Sequence, residues 1–359
     1  MSVVITLGKT PNCLRFRVSP LAELISALHV LKDPSNHPHS GWARDLSAGL
    51  SPETAAESEW FGVLWGAFRA SIFIPRSATP NASLASEIIS LRSLTLSEIV
   101  ESVAHAIRGG GPSIEIDGIF QDPELQRRAY AHARARGKAA TELLDDLFTD
   151  PASVQYRLCD FLIRCGDEFF NQLWKELAPT LVAEARQGED MRLRYGAATA
   201  LVAAVPAARN GVTYNTVVVD KAHYGRIDLQ STQLIMTPTV LGQPHVIVKD
   251  EHMLPAIQYP VLDPRERARP HLDIQCRRLC ALSNPVRLQL CRDLSREARS
   301  TLQLAERWRL DPGVVSRHLK VLREANLVDV ERNGHFVLYR LVTSEVAHLG
   351  DDLLATLLR

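Results

Sequence analysis

Ser316, Arg317, His318 and Lys320 fall within five residues of one another near the end of a 359-residue chain. They supply a hydroxyl, a guanidinium, an imidazole and an ammonium. Such groups suit a nucleic acid: guanidinium meets guanine bidentately, and Lys or Arg beside phosphates releases counterions. That chemistry needs a rigid carrier. Val315, Leu319 and Leu322 recur at i, i+4 and i+7, which predicts a helix over Pro312–Ala325 with one buried stripe. Val314, Ser316, Arg317, Lys320 and Arg323 then point elsewhere. Asp311-Pro312 supplies the cap and the first-turn proline.

The neighbouring elements must hold that helix in place. Leu272–Leu282 is amphipathic, Asn284-Pro285 opens a helix through Leu294, and Leu302–Trp308 forms a third. After the fourth helix, Val328–Arg332 and His335–Leu341 alternate and are joined by Asn333-Gly334, a strong hairpin signal. A last helix is expected over about 343–358. Helix, short turn, helix and hairpin make a winged helix-turn-helix, whose second helix fits a major groove about 12 Å wide while the hairpin reaches the backbone. Gln303, Arg332 and Asn333 are the expected phosphate contacts, with His335 beside them at the wing tip. Val314, Ser316, Arg317 and Lys320 are the expected base contacts, Val314 through a thymine methyl. His318 reads as either a packing or a phosphate residue. Charge agrees: the chain is neutral overall, yet 271–340 holds 13 basic residues, 12 of them Arg, against 8 acidic ones.

The stretch ALSNPVRLQLCRDL, followed by LQLAERWRLDPGVVSRHLKVLREANLVDVERNGHFVLYRL, resembles the ArsR-type transcriptional regulators over about residues 271–345. The resemblance implies a homodimeric winged-helix repressor, of a kind of which many release their operator on binding a metal or another effector. It makes Pro312–Ala325 the recognition helix and Arg332–His335 the wing tip. LRFRVSPLAELISALHVL also looks like the long N-terminal region of some of these regulators. Two positions depart from the family pattern: Arg309 stands where Gly is usual in the turn, and Asn326 where Gly usually ends the recognition helix. Asn is the next-best left-handed cap. The family's Cys-x-Cys metal site is absent, because Ser300 and Leu302 occupy its positions. Its other metal site, on the last helix, keeps only His348, Asp351 and Asp352.

Other residue sets have chemistry of their own. Cys276 and Cys280 are one helical turn apart, with Cys291 on the next helix, and three thiolates could bind a soft metal. Free Cys is usually buried, so packing is the expected role and metal or redox sensing the alternative. His37-Pro38-His39 could ligate zinc with a distant third group, but a polar loop without a nearby carboxylate or Cys reads first as a plain loop. Arg136-Gly137-Lys138 lacks the earlier Gly of a phosphate loop, and Gly109–Gly111 does not open a helix after a strand. No G-x-S-x-G or H-E-x-x-H occurs. The expectation is therefore a protein that is not an enzyme, with no cofactor and no metal.

Residues 1–270 read as helix-rich with some strand. Leu14–Val18 is a strand ending at Ser19-Pro20, which opens a helix over LAELISALHVL. Pro34–Gly41 is a loop, and Ser51-Pro52 opens a helix through Ala67. Helical patterns follow at about 83–107, 122–148 and 152–187, with breaks at Gly109–Pro112 and Asp150-Pro151. TYNTVVV, STQLIMT and HVIVKD are strand-like. Hydrophobic residues at 46% and charged ones at 23% give enough core material for about two domains and argue against disorder. No apolar run nears the ~20 residues of a membrane span. Six scattered cysteines do not form a disulfide framework, and no secretory signal is evident, so a cytoplasmic location is expected.

The expected fold is mainly α with minor β: a helix-rich α+β domain over 1–265, a linker at Asp263–Pro270, and a winged helix-turn-helix over 270–359. The expected function is a sequence-specific transcriptional regulator, ArsR-like and a repressor, binding double-stranded DNA at an inverted-repeat operator as a homodimer. A domain far larger than dimerisation needs favours an organic effector over a metal. An enzyme with a regulatory DNA-binding tail and a winged-helix interaction scaffold are the alternatives.

Overall fold

A computed structural model of the chain describes residues 2–8, 11–34, 37–66, 69–74, 82–109, 119, 122–213, 215–221, 224–249, 254–261, 274–333, 336–347, 349–350 and 353. Internal contacts divide the chain into two compact units, Met1–Ala197 with Val219–Val261, and Ala198–Val218 with Leu262–Arg359. The expected linker at Asp263–Pro270 lies outside the described residues. The fold is mainly helical with small sheets.

In the first unit, strand β1 (Ser2–Thr6) pairs in parallel with β5 (Gly225–Asp228). A second sheet runs in the order β2 (Leu14–Phe16), β6 (Leu234–Thr239), β8 (Ala256–Pro260), β7 (Ile247–Lys249). Both central strands are buried at every position, as parallel strands covered on both faces are. Of the remaining strands, β3 (Ala208–Asn210) belongs to the second unit, and β4 (Thr216–Asp220) runs across the division at Val218.

Helix α1 (Pro20–Lys32) starts where Ser19 accepts a bond from the Ala22 amide and Pro20 presets the first turn. The loop expected over Pro34–Gly41 ends sooner, because α2 (Ser40–Gly49) begins inside it. The helix opened by Ser51-Pro52 is α3 (Pro52–Trp60), and a 3-10 turn, Gly62–Trp65, follows.

The pattern at 83–107 is two helices, α4 (Leu84–Arg92) and α5 (Leu96–Arg108), since Thr95 and Glu98 form a capping box that restarts the chain. Gln155 stabilises that break by donating its side-chain amide to the Leu91, Arg92 and Leu94 carbonyls at 3.0–3.2 Å. The pattern at 122–148 likewise splits at Gly137, where φ is +110°, into α6 (Pro123–Arg136) and α7 (Lys138–Thr149). Helix α8 (Pro151–Cys165) leads through one π turn into α9 (Asn171–Tyr195).

These helices close over an aromatic core in which Trp65 stacks on Phe161 at 5.7 Å, with Phe61 tilted beside both. Helix α9 approaches β2 closely: a Cβ at Gly188 would come within 2.4 Å of the Phe16 ring.

The second unit carries α10 (Ala197–Ala204) at its start, α11 (274–282), α12 (Pro285–Leu294), β9 (Arg299–Ser300), α13 (Thr301–Trp308), α14 (Pro312–Glu324), β10 (Val328–Asn333), β11 (Phe336–Leu341) and α15 (Thr343–Ala347). The last helix is expected to continue to 358; past Ala347 the described residues 349–350 and 353 are helical too.

Glu87 of α4 accepts bonds from the Leu21 amide at 2.8 Å and the Ser19 hydroxyl at 3.0 Å, at the start of α1. Burial outweighs those two bonds and pushes its pKa up to about 7. A carboxyl raised in the folded state contributes stability that is full below its unfolded pKa and is lost as pH rises through about 7. Relative to Glu87→Gln, the wild-type chain should therefore lose stability between about pH 5 and 8. Denaturant midpoints across that range check it, and parallel curves for the two proteins would refute it.

Candidate nucleic-acid interface

Three apolar side chains set the orientation of α14. Val315, Leu319 and Leu322 are each fully buried, against Leu290, Leu294, Leu304 and Leu327. The cap forms as the sequence requires, with Asp311 accepting from the Gly313 amide at 2.7 Å. Helix α13 is opened by a reciprocal capping box: Ser300 accepts from the Gln303 amide, and the Gln303 side chain accepts from the Ser300 amide at 2.8 Å.

The turn between α13 and α14 is left-handed at Arg309, with φ +50° and ψ +46°. The Leu310 amide then reaches back to the Ala305 carbonyl at 3.0 Å. Asn326, with φ +57°, follows the end of α14 in the same conformation. Both positions are those where the family pattern has Gly.

Buried Asp293 of α12 ties the helices together. It accepts from the Trp308 indole at 2.7 Å and pairs with Arg307 at 2.9 Å. Sequence reasoning missed this residue, although an acid three residues after Leu290 and beside Leu294 is a detectable interruption of an apolar stripe. It also missed β9, whose two residues pair Ser300 with Leu338 and Arg299 with Tyr339 and so join the hairpin to the start of α13.

With the stripe buried, Ser316, Arg317 and Lys320 are exposed on the outer face of α14. Arg317 bonds only loosely to the Gly313 carbonyl at 3.3 Å, and Lys320 lies 3.8 Å from Glu324, so neither charge is strongly engaged. Val314 and His318 are half-buried at the edge of that face. Burial, then Arg287 and Arg317, push the His318 pKa down, so its ring is neutral near pH 7. Gln303 is exposed, but its side-chain carbonyl is committed to the capping box, so that bond uses its oxygen and not its amide N–H groups.

In the hairpin, Arg332 pairs with Val337 and Asn333 with Phe336. β10 thus runs one residue further than expected, through Asn333, and β11 begins at Phe336 rather than His335; Gly334 and His335 lie outside the described residues. His348, Asp351 and Asp352 also lie outside them.

The cysteine expectation needs correction. Cys291 is buried, but Cys276 and Cys280 are exposed. Helix α11 turns Gln275, Arg278 and Ala281 inward instead, with Arg278 bound to Glu345 of α15. Among the described residues the three thiols do not form a metal-ligand cluster; three histidines of the first unit do.

Residues 1–265 match a family of unknown function, DUF5937, and residues 282–331 match a helix-turn-helix domain family. Two proteins of Mycobacterium tuberculosis, strains CDC 1551 / Oshkosh and ATCC 25618 / H37Rv, are each described as HTH-type transcriptional repressor SmtB. Both are 36% identical over 97 residues, covering 27% of this chain and 69% of the relative.

A left-handed conformation costs an L-residue roughly 1–2 kcal/mol, whereas Gly adopts it freely at some cost in unfolded-chain entropy. Arg309→Gly should accordingly stabilise the helix-turn-helix by about 1 kcal/mol. Slower amide hydrogen exchange in α13 and α14 is the expected readout; unchanged or faster exchange would show that the turn is not strained.

Proposed function

The chain belongs to the DUF5937 family, and its C-terminal unit is a DNA-binding transcriptional-regulator domain of the ArsR/SmtB type; from that premise we propose that the protein is a homodimeric repressor controlled by an effector sensed in its N-terminal unit. One observation carries the reading. The exposed Ser316, Arg317 and Lys320 share a helix whose opposite face is locked into a core by Val315, Leu319 and Leu322. A rigid helix with a solvated cationic face is what a major groove admits.

In this reading Arg317 bonds guanine, Ser316 and Lys320 meet neighbouring base edges, and Val314 lies against a thymine methyl. His318, neutral and half-buried, supports the helix edge or donates to a phosphate. Gln303 meets the backbone through its amide N–H groups, and Arg332 and Asn333 meet it from the wing.

Homodimerisation places two recognition helices about one DNA turn apart, hence an inverted-repeat operator. Leu279, Cys276 and Cys280 on the exposed side of α11 supply a partly apolar surface for the second copy. An effector shifts occupancy only by binding one spacing of the two recognition helices better than the other.

Footprinting of the intact protein across its genome would find the operator, and titrations on that duplex test the roles. Arg317→Ala should lose about 1–3 kcal/mol of discrimination at a single base pair. Lys320→Ala should weaken binding and lower the salt slope by about 1 for each phosphate contact it makes, or relax one base position if it reads an edge. Wild-type protein that binds all duplexes alike would overturn the sequence-specific reading.

A further inference from the structure

Three histidines far apart in sequence meet in the first unit. His29 lies in the last turn of α1, His37 in the loop after it, and His245 in the connection between β6 and β7. Their ring centroids are 4.9, 5.0 and 5.7 Å apart, and one nitrogen from each lies within 4.8 Å of the others. From sequence, His37-Pro38-His39 reads first as a plain loop and second as a zinc pair awaiting a distant ligand; the structure groups His37 with His29 and His245 and leaves His39 out.

Two of the rings are already oriented. Nδ1 of His29 lies 2.6 Å from the Trp65 carbonyl, and Nδ1 of His37 lies 2.8 Å from the Gln243 carbonyl. A carbonyl only accepts, so both Nδ1 atoms carry the proton and both Nε2 atoms present a lone pair. Ligating histidines are typically fixed in this way, by the other ring nitrogen donating to a backbone carbonyl.

The surrounding backbone is braced as well. His39 Nε2 lies 3.1 Å from the Val240 carbonyl, and Glu23 accepts from the Val240 and Leu241 amides at 3.0 and 2.8 Å. These bonds hold the loop of His37 to the turn that carries His245.

We infer that His29, His37 and His245 form a binding site for a borderline divalent cation of the zinc class. The ligand set decides the class. Three imidazoles without a thiolate select neither a soft monovalent ion nor a hard alkaline-earth ion. Three protein ligands leave a fourth tetrahedral position open, as in zinc sites that exchange a ligand rather than closed structural ones. Bonds of about 2.0–2.1 Å place ligand nitrogens roughly 3.3 Å apart. Closing the triangle therefore takes shifts of about an ångström, which the exposed His245 has room to make.

Charges facing the cluster indicate what fills the open position. Arg69 bears on His29 and His245, Lys221 bears on His245, and Asp33 opposes them beside His245. A cation flanked by Arg69 and Lys221 favours an anion, hydroxide or carboxylate, as its fourth ligand.

The test uses the full-length protein, stripped with a chelator and without DNA, so it stands apart from the repressor reading. Co(II) should bind at one equivalent per chain with the strong visible absorption of a four-coordinate ion and no thiolate charge-transfer band. Zn(II) should displace it. His245→Ala, an exposed change whose folding circular dichroism verifies, should weaken binding by more than the roughly 10- to 100-fold typical of losing an outer-shell partner. His132→Gln, on the exposed side of α6, should leave it unchanged. The site is refuted if the wild type takes up no metal, if His245→Ala binds as tightly as wild type, or if a thiolate band traces the metal to Cys276 and Cys280.

Discussion

Which way α14 faces is decided by burial rather than by its charges. Fully burying Val315, Leu319 and Leu322 contributes roughly 1.5–3 kcal/mol each relative to exposure. The exposed Lys320–Glu324 pair at 3.8 Å is worth at most about 0.5 kcal/mol. Rotating the helix by one residue, about 100°, would move apolar residues into water and drive a cationic side chain toward the core. Burying an unpaired charge costs several kcal/mol more. The outward set of Ser316, Arg317 and Lys320 is thus a consequence of the inward set, and that exposed face inherits its rigidity from the core.

That rigidity depends on two positions where the backbone does something unfavourable. Arg309 takes a left-handed conformation that its side chain disfavours, and the Leu310–Ala305 bond together with the α13–α14 core holds it there. Asn326 makes the same excursion more cheaply, because a short amide side chain tolerates it. Asp293 adds the third restraint by satisfying the Trp308 indole and Arg307 from within the core. A buried carboxylate is costly unless its partners are close, so it specifies helix placement more than it stabilises it.

The parts legible in sequence were those written in local chemistry. Ser19-Pro20, Asn284-Pro285 and Asp311-Pro312 each mark a helix start that the structure has, because cap and proline act within one turn, and Asp150-Pro151, expected as a break, caps α8 in the same way. The interruptions within the long helical patterns were harder. The break at Ser93 depends on Gln155, more than 60 residues away, donating its side-chain amide to the Leu91 and Leu94 carbonyls. Strand β9 is too short for any periodicity. The exposure of Cys276 and Cys280 was hidden because polar Gln275 and Arg278, not the thiols, occupy the inner face of α11. His29, His37 and His245 were illegible for the plainest reason: no spacing rule joins residues brought together by a sheet connection 200 positions downstream.

The polar network beneath those histidines shows why the connection holds its place. Glu23 and Arg69 are both buried, and burial pushes the Glu23 carboxyl up and the Arg69 guanidinium down to about 10. Arg69 donates to Ser26 at 2.9 Å and to Gln258 at 2.7 Å, while Gln258 donates in turn to Ser26 and to the Ala22 carbonyl. An apolar pair of equal volume would cost less to bury, but it could not grip the Val240 and Leu241 amides. Glu23 does, and the turn they open carries Gln243, whose carbonyl orients His37. One buried carboxylate on α1 is thereby coupled, through two amides and one carbonyl, to the ring of a histidine on the next loop. Such a chain is too long to be needed for packing alone, and its cost in desolvation is understandable where the geometry it sets is used.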